Sequence, residues 1–441
     1  MNILFVSLGC DKNLVDTEHM LSLLVKDGFT LTDDESLADI IIINSCCFIH
    51  DAMEESIQTI LDLAKYKETG SLKALLVAGC LAQRFADEMS DELPEVDGII
   101  GTNAYDEIVS IVHQALAGKE PKVIRSFDSL CDDTNGRIVT TGGHFAYLKI
   151  ADGCDKHCTY CIIPSIRGNY RSYPMEQLIT EAKELVSNGV RELILVAQET
   201  TLYGIDLYGS KKIVTLLDRL NEIEDLKWIR LLYCYPEEID DEFIAAMKRN
   251  TKVLPYIDMP IQHCNNSLLA KMGRKTSKED IEKIICNLRT EIPNITIRTT
   301  LICGFPGETQ AMHRELLSFI KEMHFDRLGA FPYSQEENTP AASFEHQVLE
   351  KTKNIWYQEV MEVQQTISLA NQNKFIGQTL EAFIEGKIAD EDVYLARTYR
   401  DAPNVDGYVF IHTTTDFISG DFVTVKITQC NEYDLIGEIV S

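Results

Sequence analysis

The sequence predicts an α/β chain in three parts. These are an N-terminal parallel-sheet α/β unit over residues 1–118, a central partial (β/α)6 barrel over 144–372 and a small all-β, OB-like module over 373–441, with a linker at 119–143. Three observations carry this. Apolar runs of strand length alternate with stretches of helical period, the signature of parallel sheets with crossover helices. Six such β-α units follow residue 143, the count of an incomplete barrel whose working face is the C-terminal edge of its strands. After Gly377 the texture changes to short alternating runs separated by Gly and Asp turns, as in small closed β modules.

In the first unit the expected strands are Asn2–Leu8, Asp39–Asn44, Lys73–Ala78 and Gly98–Gly101. The expected helices are Leu14–Val25, Asp51–Lys67, Leu81–Met89 and Asp106–Leu116. The barrel strands are expected near Tyr147–Ile150, Glu192–Val196, Trp228–Leu232, Tyr256–Met259, Thr296–Ile302 and Arg327–Phe331. A long amphipathic helix over Val348–Asn371 closes this part. In the last unit Leu380–Ile384, Gly407–Ile411 and Asp421–Ile427 are expected strands of a five-stranded barrel.

Composition bounds the function. The chain has 441 residues, 45% of them hydrophobic, and no apolar run of the roughly 20 residues that span a bilayer. Its N-terminus lacks the basic start and small-residue cleavage site of a secretory signal, so a cytoplasmic protein is expected. Thirteen cysteines in such a chain point to metal or catalytic use rather than disulfides. A net charge of −28 disfavours a partner gripped through phosphates and favours a basic one.

The cysteines carry the chemistry. Cys154, Cys158 and Cys161 stand as C-x3-C-x2-C in one loop directly after the first barrel strand. Three thiolates at that spacing can hold three irons of a 4Fe–4S cube and leave the fourth open to a substrate or cofactor. A zinc site is the rival reading, but structural zinc closes its shell with four ligands, and His157 would crowd the same turn. Cys10, Cys46 and Cys80 each follow a predicted strand of the first unit. The carboxyl ends of a parallel sheet share one edge, so these thiols are expected to converge in one crevice. Three buried core thiols are the alternative there, and the neighbouring Cys47 reads as core.

The cysteine loop, with Tyr160 before its last cysteine, resembles the radical S-adenosylmethionine (radical SAM) superfamily. The order of the three units resembles its methylthiotransferases, whose last module is a TRAM domain. Leu8–Asp16, Gln198–Gly204, Pro260–His263 and Tyr399–Pro403 are similar to the RimO type, which modifies an aspartate of small-subunit ribosomal protein S-twelve. Glu199 departs from the Asp expected in the Gln-Asp-Thr-Thr pattern.

The resemblance implies a 4Fe–4S cluster on Cys154, Cys158 and Cys161 that binds S-adenosylmethionine and generates a radical from it. It also implies a second 4Fe–4S cluster on Cys10, Cys46 and Cys80 carrying sulfide or persulfide. Tyr160, Gln198, Glu199, Thr200, Gly304 and Gly307 would then contact the cofactor, and flavodoxin or ferredoxin would supply electrons. His263, Arg167 and Arg171 are further candidates without an assigned role. The two open irons should face each other across one cavity.

The last module weighs the substrate. From Lys374 to Ser441 there are five Lys/Arg and twelve Asp/Glu. A surface that grips tRNA should be basic, so tRNA is an unfavoured partner and the basic ribosomal protein the favoured one. A tRNA adenosine methylthiotransferase of the MiaB type is the near alternative. A non-enzymatic iron–sulfur electron-transfer protein is the remote one.

Overall fold

The structure, a computed structural model, describes residues 1–128, 130–131 and 136–440. The N-terminal sheet is six-stranded and parallel throughout, in the spatial order Thr30–Leu31, Asn2–Ser7, Ile40–Ser45, Ala74–Gly79, Gly98–Ile100, Lys122–Val123. Its two central strands, Ile40–Ser45 and Ala74–Gly79, are buried along their whole length. Burial on both faces is why they read as unbroken apolar runs rather than alternating ones.

The two edge strands had no sequence signal. Each is two residues long and largely exposed, so no periodicity can develop. Lys122–Val123 lies within the stretch read as linker and pairs with Ile99 and Ile100. Later in that stretch Ile138 N donates to Glu18 O at 3.2 Å and Thr140 N to a Glu18 carboxylate oxygen at 2.6 Å. The connection is thereby held along the helix Asp11–Lys26.

The central sheet has six parallel strands in sequence order: Phe145–Lys149, Glu192–Val196, Trp228–Leu231, Val253–Asp258, Thr296–Cys303 and Arg327–Pro332. Simple sequential order with helices between strands is the partial barrel that the β-α count predicts. The long helix runs over Glu350–Asn373. The C-terminal module is a closed five-stranded barrel of Thr379–Lys387, Val393–Arg397, Val409–His412, Leu435–Ile439 and Phe422–Cys430. Closure removes the exposed strand edges that so small a sheet would otherwise present. Among the described residues no helix is long and apolar enough to cross a membrane.

The central sheet has differently occupied ends. Residues that begin its strands meet the C-terminal module: Glu192 lies 2.7 Å from Arg397, and His144, just before the first strand, lies 2.9 Å from Glu385. Residues that follow its strands meet the N-terminal unit, and they do so at the carboxyl edge of that unit's sheet. Tyr233 Oη donates to Asp11 at 3.0 Å, Arg84 Nη2 to Glu337 O at 2.9 Å and Thr102 Oγ1 to Ile166 O at 2.8 Å. The two carboxyl edges therefore face one another.

Candidate active site

Cys10 caps the helix Asp11–Lys26, Cys46 directly follows the strand Ile40–Ser45, and Cys80 begins the short helix Cys80–Arg84 after the next strand. Two glycines let them meet. Gly9 has φ +96°, and a Cβ there would lie 2.8 Å from Cys46 Cβ. Gly79 has φ +91°, and its Cβ would lie 2.2 Å from Asn44 Oδ1. A side chain at either position would be strained and would push the thiols apart.

Asn13 is the hub of this group. It is fully buried, and its Nδ2 donates to Leu8 O at 3.2 Å and Ser45 O at 3.1 Å. Its Oδ1 stands 3.7 Å from Cys80 Sγ and 4.0 Å from Cys10 Sγ. Cys46 and Cys80 are buried while Cys10 is exposed, so the group has one open side. Cys47 is fully buried among apolar neighbours, and burial pushes its thiol up to about 12.

In the barrel loop Cys154 and Cys158 are buried and Cys161 half-buried. Burial, and then the nearness of the other thiols, pushes Cys154 and Cys161 up to about 12. A bound metal would draw such buried thiols into the thiolate form. Backbone N–H of Lys156 points at Cys154 Sγ at 3.5 Å, and the guanidinium of Arg274 lies 4.0 Å from Cys158 Sγ. Among the described residues no three His, Cys, Asp or Glu side chains are grouped tightly enough for a single ion.

One side chain joins the two cysteine groups. Arg167 is 1% exposed and donates to Asp16 at 2.8 Å, to Asn13 Oδ1 at 2.5 Å and to Asp152 at 3.2 Å; its Nη2 is 4.0 Å from Cys80 Sγ. Asp152 lies two residues before Cys154, so a single guanidinium spans from one site to the other. Lys149 pairs with Asp16 and completes the buried charge balance.

The residues expected to hold the cofactor separate into two kinds. Gln198 and Glu199 follow the strand Glu192–Val196, and among the described residues Gln198 Oε1 and Glu199 Oε2 are buried without a hydrogen-bond partner. Burial raises the Glu199 carboxyl to about 7. Lys156, in the cysteine loop, faces three carboxylates: Glu199 at 3.9 Å, Glu237 at 3.1 Å and Glu238 at 2.6 Å. Unpaired acceptors and surplus negative charge beside the cysteine loop fit a cationic ligand such as S-adenosylmethionine.

Thr200 instead holds the turn, donating its hydroxyl to Leu232 O at 2.6 Å. Tyr160 packs edge-to-face against Phe305 at 6.5 Å, and Phe305 lies between Gly304 and Gly307 in the turn after the strand Thr296–Cys303. A Cβ on Gly304 would meet Lys353 Cγ at 2.3 Å, so the close approach there is made by the long helix.

His263 is buried, and its Nδ1 accepts from the backbone N–H of Cys264 and Asn265, both at 2.9 Å. Its proton therefore sits on Nε2, facing Glu308 at 3.4 Å. Arg171 donates to Arg167 O at 2.6 Å and lies over the Phe127 ring. Asn13, Asp152, Lys156 and Arg274 were not singled out in the sequence. Asn13 lay inside the quoted segment Leu8–Asp16, whereas Arg274 has no sequence signal at all.

Residues 2–101 match a family described as "Uncharacterized protein family UPF0004", 148–320 the radical SAM superfamily and 376–440 the TRAM domain. The chain is 53% identical over 437 residues to "Ribosomal protein uS12 methylthiotransferase RimO" of Lachnoclostridium phytofermentans, covering 99% of both chains. It is 44% identical to the protein of the same name from Clostridioides difficile, covering 100% of this chain and 99% of that one. In fold alone it is similar to the radical S-adenosylmethionine methyltransferase TsrM of Kitasatospora setae. The TM-score is 0.55 at 13% identity, covering 77% of this chain and 73% of that one. Radical SAM enzymes of this kind bind a 4Fe–4S cluster and S-adenosylmethionine. With identity of this level running from end to end, the chain belongs to the RimO family of radical SAM methylthiotransferases.

Proposed function

We propose that this chain attaches a methylthio group to the β-carbon of an aspartate in ribosomal protein uS12, using two 4Fe–4S clusters and S-adenosylmethionine. The observation that carries this reading is identity of 44–53% over essentially the whole length to relatives named for uS12 methylthiolation. Cys154, Cys158 and Cys161 would hold the barrel cluster; Cys10, Cys46 and Cys80 would hold the second, with sulfide or persulfide. When bound, these groups supply a carbon-centred radical and a sulfur donor, which an unactivated aliphatic C–H bond requires.

The protein's own side chains orient and enclose. Gln198 and Glu199 would hold the amino group of S-adenosylmethionine, and Thr200 fixes the turn that carries them. Tyr160 would line the adenosine site, whereas Gly304 and Gly307 are approached by the chain's own Lys353 and Lys271. The facing carboxyl edges of the two sheets border the space between, with Cys10 on its open side. The electron donor is a flavodoxin or ferredoxin, and the setting is the cytoplasm.

A basic protein substrate fits the C-terminal module better than tRNA does. Two of its five cations, Arg397 and Arg400, are buried and cannot reach a partner, which leaves Lys374, Lys387 and Lys426 at the surface. Exposed there are Glu381, Asp390, Glu391, Asp392, Asp416 and Glu438. Such a surface repels phosphate and attracts lysine and arginine. The test is intact-mass and peptide mass spectrometry of uS12 from cells with and without the gene. A uS12 aspartate that gains one methylthio group only when the gene is present is expected. An unchanged uS12 together with loss of methylthiolated adenosine from tRNA would establish the other substrate.

A further inference from the structure

We propose that Asn13 and Arg167 act as a positioning pair that orients the Cys10/Cys46/Cys80 centre and sets its reduction potential from the barrel side. The inference rests on the reading that these three thiols hold an iron–sulfur cluster.

The geometry of Asn13 comes first. Its two Nδ2 protons are committed to Leu8 O and Ser45 O, the carbonyls just ahead of the Cys10 and Cys46 loops. That fixes which way the amide faces, so Oδ1 must point toward Cys80 and Arg167. The backbone oxygen of Asn13 in turn accepts from Asn44 Nδ2 at 2.8 Å. One fully buried amide therefore touches the chain around all three cysteines.

Arg167 locks that amide from the other domain. It follows the barrel's cysteine loop and is held by Asp152, yet it donates to Asn13 and Asp16 of the N-terminal unit and approaches Cys80 Sγ. Its charge reaches the thiols at close range in a site with little solvent, where screening is weak. Positive charge and hydrogen bonds at cluster sulfurs favour the reduced, more negative state and raise the potential. Asp152 draws on the same guanidinium from the far side, so its carboxylate opposes that effect. The potential of the N-terminal centre is thereby tied to the docking of the barrel loop.

The experiment uses the full chain with Cys154, Cys158 and Cys161 changed to Ala, so that only the N-terminal centre remains. Iron and sulfide are counted first, and a preparation without a cluster would sink the underlying reading. With the cluster present, the midpoint potential is followed by EPR. Arg167→Gln is expected to move it to more negative values, Arg167→Lys to recover most of the shift, and Asp152→Asn to move it the opposite way. The opposed signs are what a merely structural role would not produce. Should Arg167→Gln fail to retain iron, the Asp152→Asn and Arg167→Lys values decide alone. Unchanged midpoints, or shifts of one sign in Arg167→Gln and Asp152→Asn, would overturn the proposal.

Discussion

The two ends of the central sheet are built on opposite electrostatic plans. Where the strands begin, charges are answered by charges. Glu192 lies 2.7 Å from both Arg230 and Arg397, Arg397 reaches Glu385 at 2.6 Å, and Arg327 pairs with Asp401. Where the strands end, burial pushes the Cys154 and Cys161 thiols up, Gln198 Oε1 has no hydrogen-bond partner among the described residues, and one lysine faces three carboxylates. At the first end carboxylates and guanidinium groups pair across the domain boundary and hold the C-terminal module in place. At the second, three carboxylates surround one lysine and leave surplus negative charge beside the cysteine loop.

The contrast can be broken at several points, and the largest effect belongs to the cysteines. Replacing any one of Cys10, Cys46, Cys80, Cys154, Cys158 or Cys161 by Ala should abolish methylthiolation of uS12, read by mass spectrometry. Cys47→Ala, one position along, should keep the activity because that thiol is packed in the core.

At the strand-start end, Glu192→Gln leaves buried Arg230 facing a neutral amide and Arg397 with Glu385 as its remaining carboxylate. Stripping one member from a buried ion group costs about 3–5 kcal/mol. A lower urea midpoint, with the cysteine sites still able to take up iron, is the expected result. An unchanged midpoint would show that solvent reaches this end.

Glu199 tests the open end through pH. Its carboxyl, at about 7, binds a proton more tightly in the folded chain than in the unfolded one. The stability it contributes is therefore full below pH about 4.5 and is lost as pH rises through about 7. Glu199→Gln should flatten the stability–pH profile over that window, by on the order of 3 kcal/mol. Denaturant melts at several pH values without S-adenosylmethionine provide the reading, and parallel profiles would contradict it.

The smallest effect is expected outside both ends. Arg219 and Glu176 form an exposed pair, their side chains 35% and 79% accessible. Arg219→Ala should cost less than about 1 kcal/mol and leave activity untouched. A larger loss would mean that burial is a poor guide to which charges matter here.

Much of this was legible in order of residues. The C-x3-C-x2-C loop is local, so its spacing alone brings its thiols together. The Ile40–Ser45 and Ala74–Gly79 strands announce themselves because burial on both faces demands continuous apolar residues. Convergence of Cys10, Cys46 and Cys80 followed from one rule about parallel sheets, and Gly9-Cys10 and Gly79-Cys80 repeat a dipeptide whose reason is now visible. The two-residue edge strands were illegible because a period needs more residues than they have.

By itself, then, the sequence determined the three units, the two thiol groups and the acidic character of the last module, since each is written in local pattern, spacing or summed charge. Only the tertiary structure decided that Asn13 sits among three cysteine loops and that Arg167 belongs to both sites. It also decided that Arg397 and Arg400 are spent inside the protein. Those facts depend on which side chains meet across domains and how deeply. No local period or residue count encodes a contact between positions 13 and 167, because only packing brings them to 2.5 Å.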